Sequence, residues 1–258
     1  MTTPSSSSVT AVADGPLWIV TISRPQARNA IDMSVARGLE RAMAELDERP
    51  DLRVAILTGA GGNFCSGMDL KAFVKGERPW LPGTGFAGLV QRPPGKPLIA
   101  AVEGYALAGG LEIALACDLL VASRSARFGI PEVRRGLAAA AGGLMRLPMR
   151  LPRALAMELA LTGRHMGADE AWRAGLLNRL VDEGGALTAA RELALEIAAN
   201  APLAVAASKQ VVIQSRGWSE DEMFARQQPM VERVIASADA LEGARAFAEK
   251  RTPLWQGR

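Results

Sequence analysis

The 258-residue chain contains one histidine, one tyrosine and two cysteines, and each scarcity closes a line of chemistry. His165 stands alone in "LTGRHMGADEA", so no metal site is expected, and a Ser–His–Asp triad would hang on an exposed-looking loop. Cys65 and Cys117 are too few for a disulfide framework; reduced thiols in a cytoplasmic protein are the expectation, with Cys65 a small filler. One tyrosine and six phenylalanines leave little aromatic interleaving for stacking bases, which argues against a nucleic-acid partner. No apolar run reaches bilayer length, so no membrane span is expected. The start, "MTTPSSSSVTAVADG", lacks the basic and apolar regions of a secretion signal and the arginines of a presequence; residues 1–14 read as a disordered Ser-rich tail. Net charge is only +3, a mild balance that suits an anionic small molecule as well as nucleic acid.

What the chain does have is a series of short apolar, β-branched runs: "LWIVTIS" (17–23), "VAILTG" (54–59), "PLIAAVEG" (97–104) and "DLLVAS" (118–123). Bounded by Gly, Pro or polar residues, they predict buried strands. Between the first two, "DMSVARGLERAMAELDERPD" places Val35, Leu39, Met43 and Leu46 on one helical face, with Asp32 or Ser34 available as its cap. Beyond residue 150, helix follows helix. "PRALAMELALTG" has Pro152 to open it and Gly163 to close it. "GADEAWRAGLLNRLV", "ALTAARELALEIAAN", "PLAVAASKQVVIQS", "SEDEMFARQQPMVERVIAS" and "DALEGARAFAEK" come after it. The fold class is α/β, a strand-rich core closed by a helical C-terminal part. Residues 75–96 are Gly- and Pro-rich without periodicity, as in a lid or binding segment; Trp80 and Phe86 either line a pocket there or anchor the loop. Met145 and Met149 are expected in the core.

Three stretches have chemical potential. In "LTGAGGNFCSGMDLKAF", Gly59, Gly61 and Gly62 follow a strand and precede a helix that Asp69 is placed to cap, so the loop either meets a ligand or is a tight connection. It is not a dinucleotide fingerprint, because Phe64 stands where the third glycine belongs. In "EGYALAGGLEIALACD", Glu112 lies one turn after Gly109 among apolar residues; it is either a partly buried acid or an exposed helical Glu. In "ARFGIPEVRRG", Pro131 opens a short helix and Glu132 sits in its first turn, a position the helix dipole alone explains. Taken together, they offer two main-chain N–H groups, near Met68 and Gly109, and two carboxyls. Such N–H pairs stabilise an oxyanion, and two acids in one dry cleft split their proton affinities.

This order and spacing resembles the enoyl-CoA hydratase (crotonase) family from about residue 15 to the C terminus. "RPQARNAID" (24–32) is similar to the family's opening loop, which implies that Gln26, Ala27 and Arg28 lie along CoA. "FCSGMDLKAF" resembles the family's F-x-x-G-x-D-[IL]-K segment, which implies Met68 N–H as one oxyanion donor and Ser66, Gly67, Asp69, Leu70 and Lys71 beside CoA. "GYALAGGLEIALACDLLVAS" resembles the second signature, with Gly109 as the other donor and Gly110 next to it. Glu112 and Glu132 fall on the positions that family hydratases use.

The resemblance implies a spiral of ββα turns over residues 15–200 and a helical trimerisation region over 201–258, in homotrimers or hexamers. Phe247 and Lys250 would reach CoA in a neighbouring subunit. It implies an acyl-CoA substrate, no metal and no cofactor beyond the substrate's CoA, and enoyl-CoA hydration in fatty-acid or related acyl-CoA catabolism. Double-bond isomerisation is the alternative, and a silent acyl-CoA- or RNA-binding protein the more distant one. Three departures stand out. Ala108 replaces a frequent Gly, which a negative φ would accommodate. Arg28 replaces an apolar residue and adds a possible phosphate contact. "RRGLAAAAGG" lacks the frequent Pro-Gly pair and alters the acyl-pocket wall.

Overall fold

The computed structural model describes residues 7–258. The chain opens with β1 (Val9–Asp14), antiparallel to β2 (Leu17–Ile22). The expected tail over 1–14 is therefore corrected from Val9 onward, while residues 1–6 lie outside the described residues. Only Val9 of β1 is buried, so this edge strand carries no apolar alternation to betray it. Asp32 caps α1 (Met33–Glu48) by accepting from Val35 N–H at 2.9 Å, and Val35, Leu39, Met43 and Leu46 are buried as the periodicity predicts.

β3 (Val54–Gly59) leads through an extended segment at Cys65 to the short α2 (Leu70–Val74). The 75–96 segment is ordered around a hairpin, β4 (Trp80–Leu81) and β5 (Gly85–Phe86), whose aromatic rings sit 4.8 Å apart. Next come β6 (Leu98–Val102), β7 (Tyr105–Leu107) and α3 (Gly109–Ala116). The following turn is β8 (Leu119–Ser123), β9 (Arg127–Gly129), a 3-10 helix at Pro131–Arg135 and α4 (Gly143–Arg150). α5 (Arg153–Thr162) runs from Pro152 to the left-handed Gly163, as predicted. β10 (Met166–Gly167), α6 (Ala168–Arg173) and β11 (Arg179–Val181) follow. The expected helix over "GADEAWRAGLLNRLV" thus ends early, its last residues forming a three-residue strand too short to show a period. α7 (Ala186–Ala198), α8 (Pro202–Gln214), α9 (Met223–Ile235) and α10 (Ala238–Glu249) complete the chain.

The large sheet runs β1-β2-β3-β6-β8-β11, parallel from β2 onward, and the small one β10-β9-β7. Cys65 bridges to Ala106, so the 64–66 segment extends the small sheet. Each turn gives a strand to the large sheet, an extended segment to the small one, and a helix: β3–Cys65–α2, β6–β7–α3, β8–β9–α4. That is the expected spiral of ββα turns.

Strand alternation sorts the core. Leu17, Val54, Ile56, Ile99, Ala101 and Val121 pack on the alanine face of α7. Trp18, Val20, Leu57, Ala100 and Leu120 point the other way, into the larger cluster with α1. Met145 and Met149, expected in that core, are instead exposed on α4. α8 and α9 contain no buried residue, and Phe224, Ile235, Leu241 and Phe247 stand open to solvent. Lys209 of α8 clasps the spiral through Pro94 O, Lys96 O and Asp118 Oδ2 at 2.7–2.8 Å.

Candidate active site

The strand-to-helix turns of the spiral meet around a cleft of about 1200 Å³. Gln26, Ala27, Arg28, Ser66, Met68, Asp69, Leu70, Lys71, Gly109, Glu112 and Glu132 all line it, so most of the residues singled out in the sequence converge on one place. Phe247, 89% exposed, and Lys250, a left-handed residue at the end of α10, do not line it within this chain. Gly67 and Gly110 lie behind the wall and permit its closeness. A Cβ on Gly110 would sit 2.1 Å from Cys65 O, and one on Gly67, at φ +98°, 2.8 Å from Ala108 Cβ.

The loop at 24–32 is built by two residues. Asn29 is fully buried in the left-handed region; its Nδ2 donates to Ala60 O and Asn63 O, and its Oδ1 accepts from Arg24 N–H. Arg24 pairs with both helix-capping acids, Asp32 at 3.2 Å and Asp69 at 3.0 Å. Asp69 caps α2 through the N–H groups of Lys71 and Ala72, as expected. Gly59, read as a possible ligand approach, packs against Asn63 O and Asn29 instead, and Gly59, Gly61 and Gly62 do not line the cleft. The guanidinium of Arg28 stands 5.3 Å over the Tyr105 ring.

The N–H groups of Met68 and Gly109 have no acceptor among the described residues, while their neighbours are tied down. Gly67 O accepts from Ile31 N–H and Asp69 N–H donates to Ile31 O, at 2.8 and 2.9 Å. Gly109 is the first residue of α3, where an N–H has no partner within its own helix. Ala108, just before it, has φ 52° and ψ −130°. The negative φ that would accommodate Ala108 is not what the chain adopts: it holds a Cβ in a region that favours glycine, because the N–H of Ala108 is bound to Gly129 O and the next residues are packed under Cys65. The buried Phe86 ring closes on Gly109 from the other side; an added Cβ there would meet it at 2.6 Å.

Glu112 is 3% exposed, so the buried alternative holds. Its Oε1 accepts from the N–H groups of Ala141 and Gly143, at 2.7 and 2.8 Å. Burial pushes its carboxyl above the ordinary value, while those two donors and the Arg146 charge hold it down. Glu132, in the first turn of the 3-10 helix that Pro131 opens, has a buried Oε2 with no hydrogen-bond partner. Burial and then the charge of Glu112 push its carboxyl up to about 7, against its own backbone hydrogen bond and Arg135. The two acids therefore share a cleft but not an environment.

Sequence reasoning missed His165, Arg134 and Arg135, which line the same cleft. Burial and the two arginines lower the imidazole's proton affinity. It also missed the Ala141–Gly143 turn, although "AAAAGG" had marked the wall as unusual; Leu137, Ala138 and Ala140 line it. Among the described residues, no group of His, Cys, Asp and Glu is arranged to hold a metal, and no helix is long and apolar enough to cross a membrane.

A family model described as enoyl-CoA hydratase/isomerase matches residues 14–258. A carnitinyl-CoA dehydratase of Salmonella typhi is 43% identical over 98% of this chain and 100% of its own length. A crystal structure of an enoyl-CoA hydratase from Mycobacterium tuberculosis H37Rv superposes with a TM-score of 0.97 at 56% identity, covering 98% of this chain and 100% of that one. A carnitinyl-CoA hydratase structure from Mycobacterium avium, with the same coverage, gives 0.79 at 43% identity.

Proposed function

The chain belongs to the enoyl-CoA hydratase/isomerase family, and from that premise we propose that it hydrates the 2,3 double bond of an enoyl-CoA thioester, or dehydrates the product. One observation carries the reading: two carboxyls of raised proton affinity face one cleft that also holds two unengaged main-chain N–H groups. The thioester oxygen lies between Met68 N–H and Gly109 N–H, which stabilise the enolate charge formed as water adds at C3. Losing one such donor typically costs about 2.7–4 kcal/mol of barrier stabilisation. Glu112, whose charge is held by two donors, ionises first and takes the proton from water. Glu132, its buried Oε2 unpartnered and its carboxyl protonated near neutrality, gives a proton to C2. The two titrate as a pair.

The arginines and Lys71 of the lining favour the anionic CoA moiety. We also place Phe247 and Lys250 at CoA bound by a neighbouring copy, in a trimer or hexamer; the exposed Phe224, Ile235, Leu241 and Phe247 support an assembly of that kind. Two acids favour hydration over isomerisation, for which one shuttling carboxylate suffices.

Loss of enoyl absorbance with crotonyl-CoA tests the reaction, and carnitinyl-CoA run alongside it tests the acyl group. Glu112→Gln should lower hydration about 10²–10⁴-fold while CoA-ester binding persists. Near-normal turnover in this variant would remove Glu112 from the chemistry.

A further inference from the structure

Arg146 does not line the cleft, yet its charge acts on Glu112. Its Nη2 donates to Val90 O at 2.6 Å, and its Nη1 reaches Ala141 O at 3.5 Å. Ala141 is the residue whose N–H donates to Glu112 Oε1 on the other side of the same turn. Between the two donors lies Gly142, at φ +102°, and a Cβ there would fall 2.3 Å from Arg146 Nη1. The guanidinium is thus pressed against the turn whose N–H groups hold Glu112. Val90 follows the hairpin whose Phe86 ring closes on Gly109, so one side chain grips both walls of the cleft.

We propose that Arg146 is a positioning residue for Glu112: by holding the carbonyls of Ala141 and Val90, it keeps two N–H groups aimed at one carboxylate oxygen. This rests on the reading of Glu112 as the base. The other groups around Glu112 leave Arg146 as its charged neighbour of opposite sign. Glu132 faces it from the 3-10 helix, Tyr105 belongs to the adjoining β7, Cys117 ends its own helix, and Arg150 of α4 turns away to Cys117 O and Asp118 O.

The test is the pH profile of crotonyl-CoA hydration in Arg146→Met and Arg146→Lys. Arg146→Met should lower kcat about tenfold with KM within about twofold. It should also move the acidic limb upward by about half to one pH unit, since both the neighbouring charge and the fixed donors weaken. Arg146→Lys keeps the charge without the two-carbonyl grip, so its limb should return toward wild type while kcat stays low. An unmoved limb in Arg146→Met, or a loss confined to KM, overturns the proposal. So does wild-type kcat in Arg146→Lys, which decides the matter alone if Arg146→Met does not fold. Should Glu112→Gln hydrate normally, the base assignment falls instead, and that result is separate from either arginine variant.

Discussion

Replacing Glu132 by Gln should stabilise the folded protein at pH 8 while stopping the reaction. The buried carboxyl rises from 4.5 to about 7 on folding. Between those values the unfolded chain has released its proton while the folded protein still holds one. Stability therefore falls as pH rises through that window and has lost the full amount above pH 7. At about 1.4 kcal/mol per decade of proton affinity, the loss is about 3 kcal/mol. Solvent at the cleft mouth screens part of it, leaving about 1.5–2 kcal/mol. Gln has no such titration, and any cost of its amide is the same at every pH. Urea unfolding of both proteins at pH 5 and pH 8, at one protein concentration, isolates the term. Because the unfolded carboxyl is already largely ionised at pH 5, Glu132→Gln should gain about 1–1.5 kcal/mol on wild type between the two pH values. Equal gaps at both would refute the reasoning, since Glu132 would then be no worse solvated folded than unfolded.

Ala108→Gly should raise stability by about 1 kcal/mol in a thermal melt, because the φ of 52° no longer forces a Cβ into a disfavoured region. Asn29→Ala strands the carbonyls of Ala60 and Asn63 and should cost about 2–3 kcal/mol in urea unfolding. Burial pushes both Cys65 and Cys117 up to about 12, so a thiol reagent at pH 8 should label neither until denaturant is added.

Much of the site was legible because its pieces are local. Asp32, Asp69, Pro131 and Gly163 announce helix ends within a few residues, and the short β-branched runs mark the central strands. What escaped the sequence depends on distance or on context. The donors to Glu112 come from Ala141 and Gly143, far along the chain in a run of small residues with no pattern. Arg146 looks like any helical arginine until its reach to Val90 is seen. β1 and β11 are an exposed edge and a three-residue strand, so neither carries a period. The φ of Ala108 was not legible because the bond network that holds its backbone comes from Gly129 and Cys65, not from its neighbours. The exposed apolar residues of α9 and α10 break the rule of burial within one chain, so burial patterning could not locate them.

The unequal treatment of the two oxygens of Glu112 has a stereochemical consequence. Oε1 is saturated by Ala141 and Gly143, while Oε2 accepts from no group among the described residues. On the proposed mechanism, water activated by this residue would therefore be held from a single direction, against an acyl group whose carbonyl lies between Met68 N–H and Gly109 N–H. In the proposed hydration, attack would then fall on one face of the alkene, and the alcohol would leave as one enantiomer.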